Sequence, residues 1–448
     1  MHPQQHPAID RYPRHRALHG TGGRHRRRGM TPPVCLSRTG SDRATAYDPS
    51  CKLLRRGDDL VMGWLDSPEQ EGGPACIMLG TANPATGQSR GSICLAEGID
   101  NHCGPALALD PDQRLHLMSG AHHGAFVHRW TDSSNLLDPA AWSAPQPVGE
   151  RASYPALVSD VDGTLHLTCR ESRPDRWILV YRNMRRGRLW SQPMTLAVNP
   201  EPGYCNWMHS FAATRDGILH LFLQFHYAAS GSAADCTTYS AVRLVSSDGG
   251  TTWLQEDGSP VTEPVTAESA QAFSSSPQGG LRLNSAVLDC HGRPWVHVVH
   301  PDNPAGYLYE FTGTGPVRHL PGGELAAYDL RGGCAMDMAF DPSNRLFLAF
   351  AANPDKTETL WFDPSHEVHV AFIDPRRMDD TRVSLLTNVD AMVSGWLPQV
   401  EDWLPNNRHE RVSEPHVMWT RGNNLGGIGG NNANSLRTEV WLERLRPA

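Results

Sequence analysis

The sequence predicts an all-β chain assembled from repeated four-stranded units, and three observations carry that prediction. A turn followed by an alternating strand recurs as Asp110-Pro-Asp-Gln-Arg-Leu-His-Leu117, Asp160-Val-Asp-Gly-Thr-Leu-His-Leu167, Arg215-Asp-Gly-Ile-Leu-His-Leu221, Asp289-Cys-His-Gly-Arg-Pro-Trp-Val-His-Val298 and Asp341-Pro-Ser-Asn-Arg-Leu-Phe-Leu348. The 41 glycines and 35 prolines cut the chain into short segments, which suits strands joined by turns better than long helices. Finally, Ser246-Ser-Asp248-Gly-Gly250-Thr-Thr252-Trp253 fits an Asp-box, a hairpin turn whose Asp and hydroxyl oxygens bond local backbone while the Trp packs beneath.

Taken in order, a weaker copy of the turn opens the series at Arg56-Gly-Asp-Asp-Leu-Val-Met62. The central positions of the five clear copies, 116, 166, 220, 297 and 347, lie 50, 54, 77 and 50 residues apart. A propeller blade of four strands takes about 40–50 residues, so the wide gap holds one blade with an insertion. Residues 30–448 then accommodate a single seven-bladed β-propeller. His116, His166, His220 and His297 recur at one blade position, which marks them as packing residues, since a repeated residue serves the repeat. The segment Asn423-Asn-Leu-Gly-Gly-Ile-Gly-Gly-Asn-Asn-Ala-Asn434 reads as a long hairpin loop in the last blade.

Charge and composition exclude several classes. Residues 1–29 carry seven arginines and one acid, a disordered basic arm of net charge +6, which leaves -14 of the total -8 to residues 30–448. A globular part that acidic offers no footprint for nucleic acid, and no apolar run is long enough for a membrane helix. The arm has no apolar core of the kind a secretory signal needs, so the expected location is cytoplasmic and the expected state a monomer. Ten cysteines without a C-x-x-C pair read as buried free thiols in a reducing compartment. No cofactor is required by the sequence. A structural divalent metal, calcium or zinc, would draw on Cys205, His209, Cys236, Cys290 and His291, whose spacing matches no zinc pattern.

Against the repeats, a few polar residues occur once. Asp100-Asn-His102 precedes the first strand of one unit, and Ser119-Gly-Ala-His122-His123 follows its second strand. The next unit repeats the layout with Tyr154 and Arg170. Strand ends of neighbouring blades meet at one funnel, so these side chains converge although they are distant in sequence. Two imidazoles, a phenol and a guanidinium suit β-elimination from an acidic sugar better than hydrolysis, which uses a carboxylate pair. Elimination needs a base for the C5 proton, a cation for the uronate carboxylate and an acid for the departing O4. Arg170 fits the cation through a two-point contact, His102 or His122 the base, and Tyr154 the acid or, beside a cation, the base.

At these residues the sequence resembles a known family. Asp100-x-His102-x-x-Pro-Ala-Leu, the strand ending Gly-Ala-His122, and Tyr154-Pro-Ala-Leu leading to Arg170 look like the BNR-repeat polysaccharide lyases, which include the ulvan lyases and rhamnosyl-glucuronate lyases. The resemblance runs from about residue 50 to the C-terminus and is strongest over 98–226. It implies a seven-bladed propeller, a catalytic set of His102, His122, Tyr154 and Arg170, and an acidic glycan of glucuronate or iduronate linked to rhamnose. The accompanying substrate-binding residues are expected to be His123, Tyr204, His209, Gln224 and Arg421. Cys103-Gly104, the doubled His123 and Gln224-Phe-His226 depart from the family pattern and bear on substrate identity. The competing classes are a sialidase-like hydrolase, which needs an arginine triad, and a non-catalytic carbohydrate-binding propeller displaying Trp207 or Trp403.

Overall fold

Short alternating segments closed by Asp-led turns pair with their sequence neighbours, and the computed structural model is accordingly built of antiparallel sheets. It describes residues 32–446 apart from 48–49, 69–72, 200–204, 206, 229, 231–234, 332–335, 356–362, 388–392 and 424–436. The basic arm, Tyr204, Cys334 and most of the glycine-rich loop therefore lie outside the described residues. Three sheets have four strands each, one has seven and one has eight. In the seven-stranded sheet, the strand Gln146–Ser159 bonds Trp-containing His122–Thr131 along its first half and Leu165–Ser172 along its second. In the eight-stranded sheet, Val34–Gly40 pairs with Thr438–Arg444, so the two ends of the described chain are stitched side by side, and touches Asp59–Asp66 at the single pair Gly40↔Asp66. Among the described residues no helix is long and apolar enough to cross a membrane.

The recurring turns behave as the sequence suggests. Asp110, Asp160, Asp289 and Asp341 each accept the backbone N–H four residues on, at 2.8, 2.8, 2.9 and 2.9 Å. The residue before that N–H is left-handed in every copy: Gln113, Gly163, Gly217, Gly292 and Asn344 have φ between +62° and +82°, which explains the preference for Gly and Asn there. The same aspartates reach further: Asp160 Oδ2 bonds His166 Nε2 at 3.0 Å, while Asp289 and Asp341 hold Arg293 and Arg345. All four recurring histidines are buried, at 0–7% exposure; His116 and His166 tie their turn aspartates to the strands, while His297 bonds Asn284 and Ala305 O instead.

The Asp-box forms as expected. Asp248 collects the N–H groups of Thr251 and Thr252 and the Ser246 and Thr252 hydroxyls. Trp253 is buried edge-on to Tyr181 of the neighbouring sheet at 5.3 Å. Tyr181 also donates to Gly249 O, and a Cβ on Gly250 would fall 1.9 Å from its hydroxyl. The core lies between sheets: Leu179, Phe211, Leu221 and Trp253 form one such layer, Trp295, Leu308, Phe340 and Leu346 another. Each large side chain so buried contributes about 1.5–3 kcal/mol. The cysteines show no disulfide among the described residues, but only Cys103, Cys169 and Cys205 are buried; Cys94 and Cys290 are exposed, being at a strand edge and a turn tip.

Candidate active site

Two irregularities in the pairing of the long strand Gln146–Ser159, one on each side, create the candidate site. Opposite it, His122 faces Ser153 and Gly124 faces Ala152, so His123 is an extra residue. On its other side Thr168 faces Ala156 and Arg170 faces Ser153, so Tyr154 and Pro155 oppose Cys169 alone. Such bulges re-aim side chains out of the ladder. His123 and Tyr154 both sit at positive φ, +61° and +58°, a backbone state that costs a non-glycine residue of order 1–3 kcal/mol and collects at functional sites.

The bulges turn His122, Tyr154 and Arg170 toward the loop that carries Asp100 and His102. Asp100 Oδ1 lies 3.1 Å from His102 Nδ1 and takes the His102 backbone N–H at 2.8 Å, while its Oδ2 lies 2.6 Å from His122 Nδ1. The two imidazoles stack with centroids 4.1 Å apart, and Tyr154 stands 6.2 and 6.4 Å from them. Burial opposes ionisation of Asp100, but the bonds from both histidines outweigh it and hold the carboxyl well below its usual range. An ionised Asp100 accepts from both Nδ1–H groups and leaves each lone pair on Nε2.

The two Nε2 atoms then differ. Arg43 Nη1 lies 2.9 Å from His102 Nε2 and, being only a donor, occupies that lone pair. Burial first, and Arg43 next against the pull of Asp100, lower the His102 pKa to about 4, so the ring is neutral. His122 Nε2 has no hydrogen-bond partner among the described residues. Arg43 also donates to Tyr47 Oη at 2.5 Å, and Tyr47 meets Tyr154 edge-on at 5.1 Å. Asn101 grips the Asp42 carboxylate at 2.9 and 3.1 Å behind this group. Arg43, Tyr47 and the bridging role of Asp100 escape the sequence reading. Asp42-Arg43 and Tyr47 do form a once-only polar segment, but nothing in the sequence links it to His102, 59 residues on.

Arg170 is 1% exposed, packed between the rings of Tyr154 at 4.5 Å and Trp177 at 4.2 Å. All three guanidinium nitrogens are without a hydrogen-bond partner among the described residues. The expected two-point contact would need a carboxylate to reach past the Tyr154 ring, behind which the guanidinium stands; its charge sits in low-dielectric surroundings that screen it little. His123 joins the edge of the site, its ring 4.3 Å from His122 and its Nδ1 2.7 Å from Ser172 Oγ.

The other expected binding residues are placed elsewhere. His209 is buried, with Nδ1 2.7 Å from Trp207 O and Nε2 3.3 Å from Thr168 O, so its ring nitrogens are absorbed by backbone. Gln224 is likewise buried and accepts Leu283 N–H from the adjacent sheet at 2.8 Å. Arg421 stands opposite Gly395 and Glu439 in the sheet that closes the chain ends. Trp207 is fully buried and donates to Trp177 O, and both flanks of Trp403 carry arginines, so neither displays a free indole for stacking on sugar. Nor do Cys205, His209, Cys236, Cys290 and His291 assemble: Cys290 bonds Asp341 O at a turn. Among the described residues the group close enough to share a cation is Asp100, His102 and His122, with ligand atoms within 4.8 Å of one another. Those atoms already bond each other, so a metal would displace the protons that join them.

A profile of the BNR repeat-containing family matches residues 81–315. Among solved structures, the fold resembles "a new family of Polysaccharide lyase PL25-Ulvanlyase bound to -[GlcA(1-4)Rha3S]-", with a TM-score of 0.65 and 13% identity over 92% of this chain and 96% of that one. It also resembles the polysaccharide lyase Uly1, with a TM-score of 0.55 and 12% identity over 93% of this chain and 99% of that one. Likeness at such identity shows a shared propeller-type fold. No curated protein matches the sequence. The repeats, the Asp-box and the profile over more than half the chain agree: this chain belongs to the BNR repeat-containing family.

Proposed function

We propose that the chain is a polysaccharide lyase that breaks the bond to O4 of a uronic acid by β-elimination, on a propeller of seven blades. The blade count divides the seven-stranded sheet at the shared strand Gln146–Ser159 and the eight-stranded sheet at Gly40↔Asp66, which with three further sheets makes seven. The observation that carries the reaction type is the Asp100-bridged histidine pair beside Tyr154 and an Arg170 whose donors face no acceptor among the described residues.

In this reading His122 Nε2 takes the C5 proton. Its Nδ1–H is anchored on Asp100, which stabilises the imidazolium that forms. The electron pair of the broken C5–H bond becomes the C4–C5 double bond, and the C4–O4 bond breaks with proton delivery from the Tyr154 hydroxyl. Arg170 and Arg43 supply positive field where charge builds on the uronate carboxylate. His102, held at both nitrogens, is a positioning residue that fixes the stack. The substrate class is an acidic glycan, with glucuronate or iduronate next to rhamnose as the favoured member. The test is incubation with uronate-containing glycans while recording ultraviolet absorbance of the conjugated product. Products heavier by one water per cleavage would replace the lyase with a hydrolase, and no cleavage of any acidic glycan would favour a binding module.

A further inference from the structure

The strands that carry the catalytic candidates have a second end. Tyr154 lies five residues before the turn at Ser159–Asp160 and Arg170 five after Leu165, so the turn end stands roughly 16 Å along the strand from the site. At that end two other turns, Thr214–Ile218 and Asp289–Arg293, join the segment around Trp403 to line a cavity of about 700 Å³.

Its walls hold cations that the fold does not neutralise. Arg215 and Arg411 place their guanidinium carbons 4.5 and 4.3 Å from the centre of the Trp403 ring, so one indole serves two positive charges. Neither arginine forms an ion pair among the described residues; Arg411 Nη2 bonds only a backbone carbonyl, that of Asp289, at 3.0 Å. Burial lowers the Arg411 pKa, against the pull of Cys290 and Asp289 and with Arg215 adding to the fall. A half-buried charge without a counter-ion is costly to desolvate and invites one. The acids in the lining are otherwise engaged: Asp289 is taken by Arg293, and Asp216 accepts the Thr214 hydroxyl. Glu410 is within ion-pair distance of neither arginine. Independently, His220 lines the same cavity, is 7% exposed, and keeps Nδ1 without a hydrogen-bond partner among the described residues.

We propose that this cavity is an oxyanion-binding site, distinct from the candidate active site, in which Arg215 and Arg411 bind a sulfate, phosphate or carboxylate group. The planar guanidinium fork suits such groups. Two sources share this chemistry, a free inorganic anion and an acidic sugar. The inference stands apart from the lyase reading, because it uses none of that reading's residues.

Isothermal titration of the full chain with sodium sulfate, with sodium phosphate and with a glucuronate-containing disaccharide, at matched ionic strength, tests it. One bound anion is expected, weakened at least about tenfold in Arg215→Gln, where an exposed side chain is changed and the circular dichroism spectrum is retained. Arg411→Gln should weaken it at least as much. Inorganic anions binding more tightly than the disaccharide identify a free anion as the ligand; the reverse order, abolished by Arg215→Gln, identifies a sugar. Binding of equal strength in wild type and Arg215→Gln, or no binding of any of the three, overturns the proposal. Loss of elimination activity with this binding intact would fault only the lyase reading.

Discussion

Two histidine–aspartate pairs in neighbouring parts of the molecule use the same chemistry to opposite ends. His166 meets Asp160 at 3.0 Å and His122 meets Asp100 at 2.6 Å. His166 spends its other nitrogen on the Tyr181 hydroxyl at 2.7 Å and is fully buried. His122 keeps its second nitrogen uncommitted, with 16% of its side chain exposed. A carboxylate on one nitrogen therefore does not mark a reactive imidazole. What separates the two is whether the second nitrogen is already occupied, and that depends on which end of the strand the residue stands at.

Replacing each member should break the molecule in different ways. The largest effect is expected for His122→Ala, a loss of about 10²–10⁴ in turnover with the melting temperature within a few degrees of wild type. Turnover and calorimetry on one preparation would check this, and near wild-type activity would remove His122 as the base. The counterpart His166→Ala should leave turnover of the folded protein intact but lower stability by about 3 kcal/mol, read by denaturant unfolding, because Asp160 loses its buried partner. Tyr154→Phe keeps the ring that covers Arg170 and removes only the hydroxyl, so about 10² in turnover should go while the unfolding midpoint stays.

Asp100→Asn sharpens the contrast further. An amide offers one acceptor oxygen where the carboxylate serves two rings, so one histidine must change tautomer; turnover should fall about 10–100-fold. An unchanged rate would mean the bridge is ornamental. Smallest of all, Gly163→Ala at φ +80° should cost about 1 kcal/mol at the turn end without touching turnover.

The repeating half of this architecture was readable because its bonds are local. An Asp that caps an N–H four residues away, and a Gly or Asn at a left-handed position, leave their signature within a few residues of sequence. The residues that occur once were also legible as such, and four of them converge. What escaped is set by long-range pairing. Arg43 reaches His102 only because the first described strand lies where ring closure puts it. His209 and Gln224 bond the backbone of neighbouring strands, and polar side chains that hold two sheets together are the same residue types as those that hold a sugar. The cysteines and histidines expected to approach a metal sit in different turns and strands, whereas the cluster that does form uses Asp100, whose partner His122 lies 22 residues away across a hairpin.

The seam between Val34–Gly40 and Thr438–Arg444 bears on the site as well as on the sheet. Arg43 and Tyr47 follow directly on the strand that this seam fixes, so the clamp on His102 leans on a partner strand from the far end of the described residues. A chain clipped before residue 438 can build its middle sheets from neighbours in sequence, yet loses the most distant pairing of the described residues, the one that frames the pocket. Such a clipped copy would carry the turn-and-strand repeats of its middle sheets and still lack the frame around its histidines.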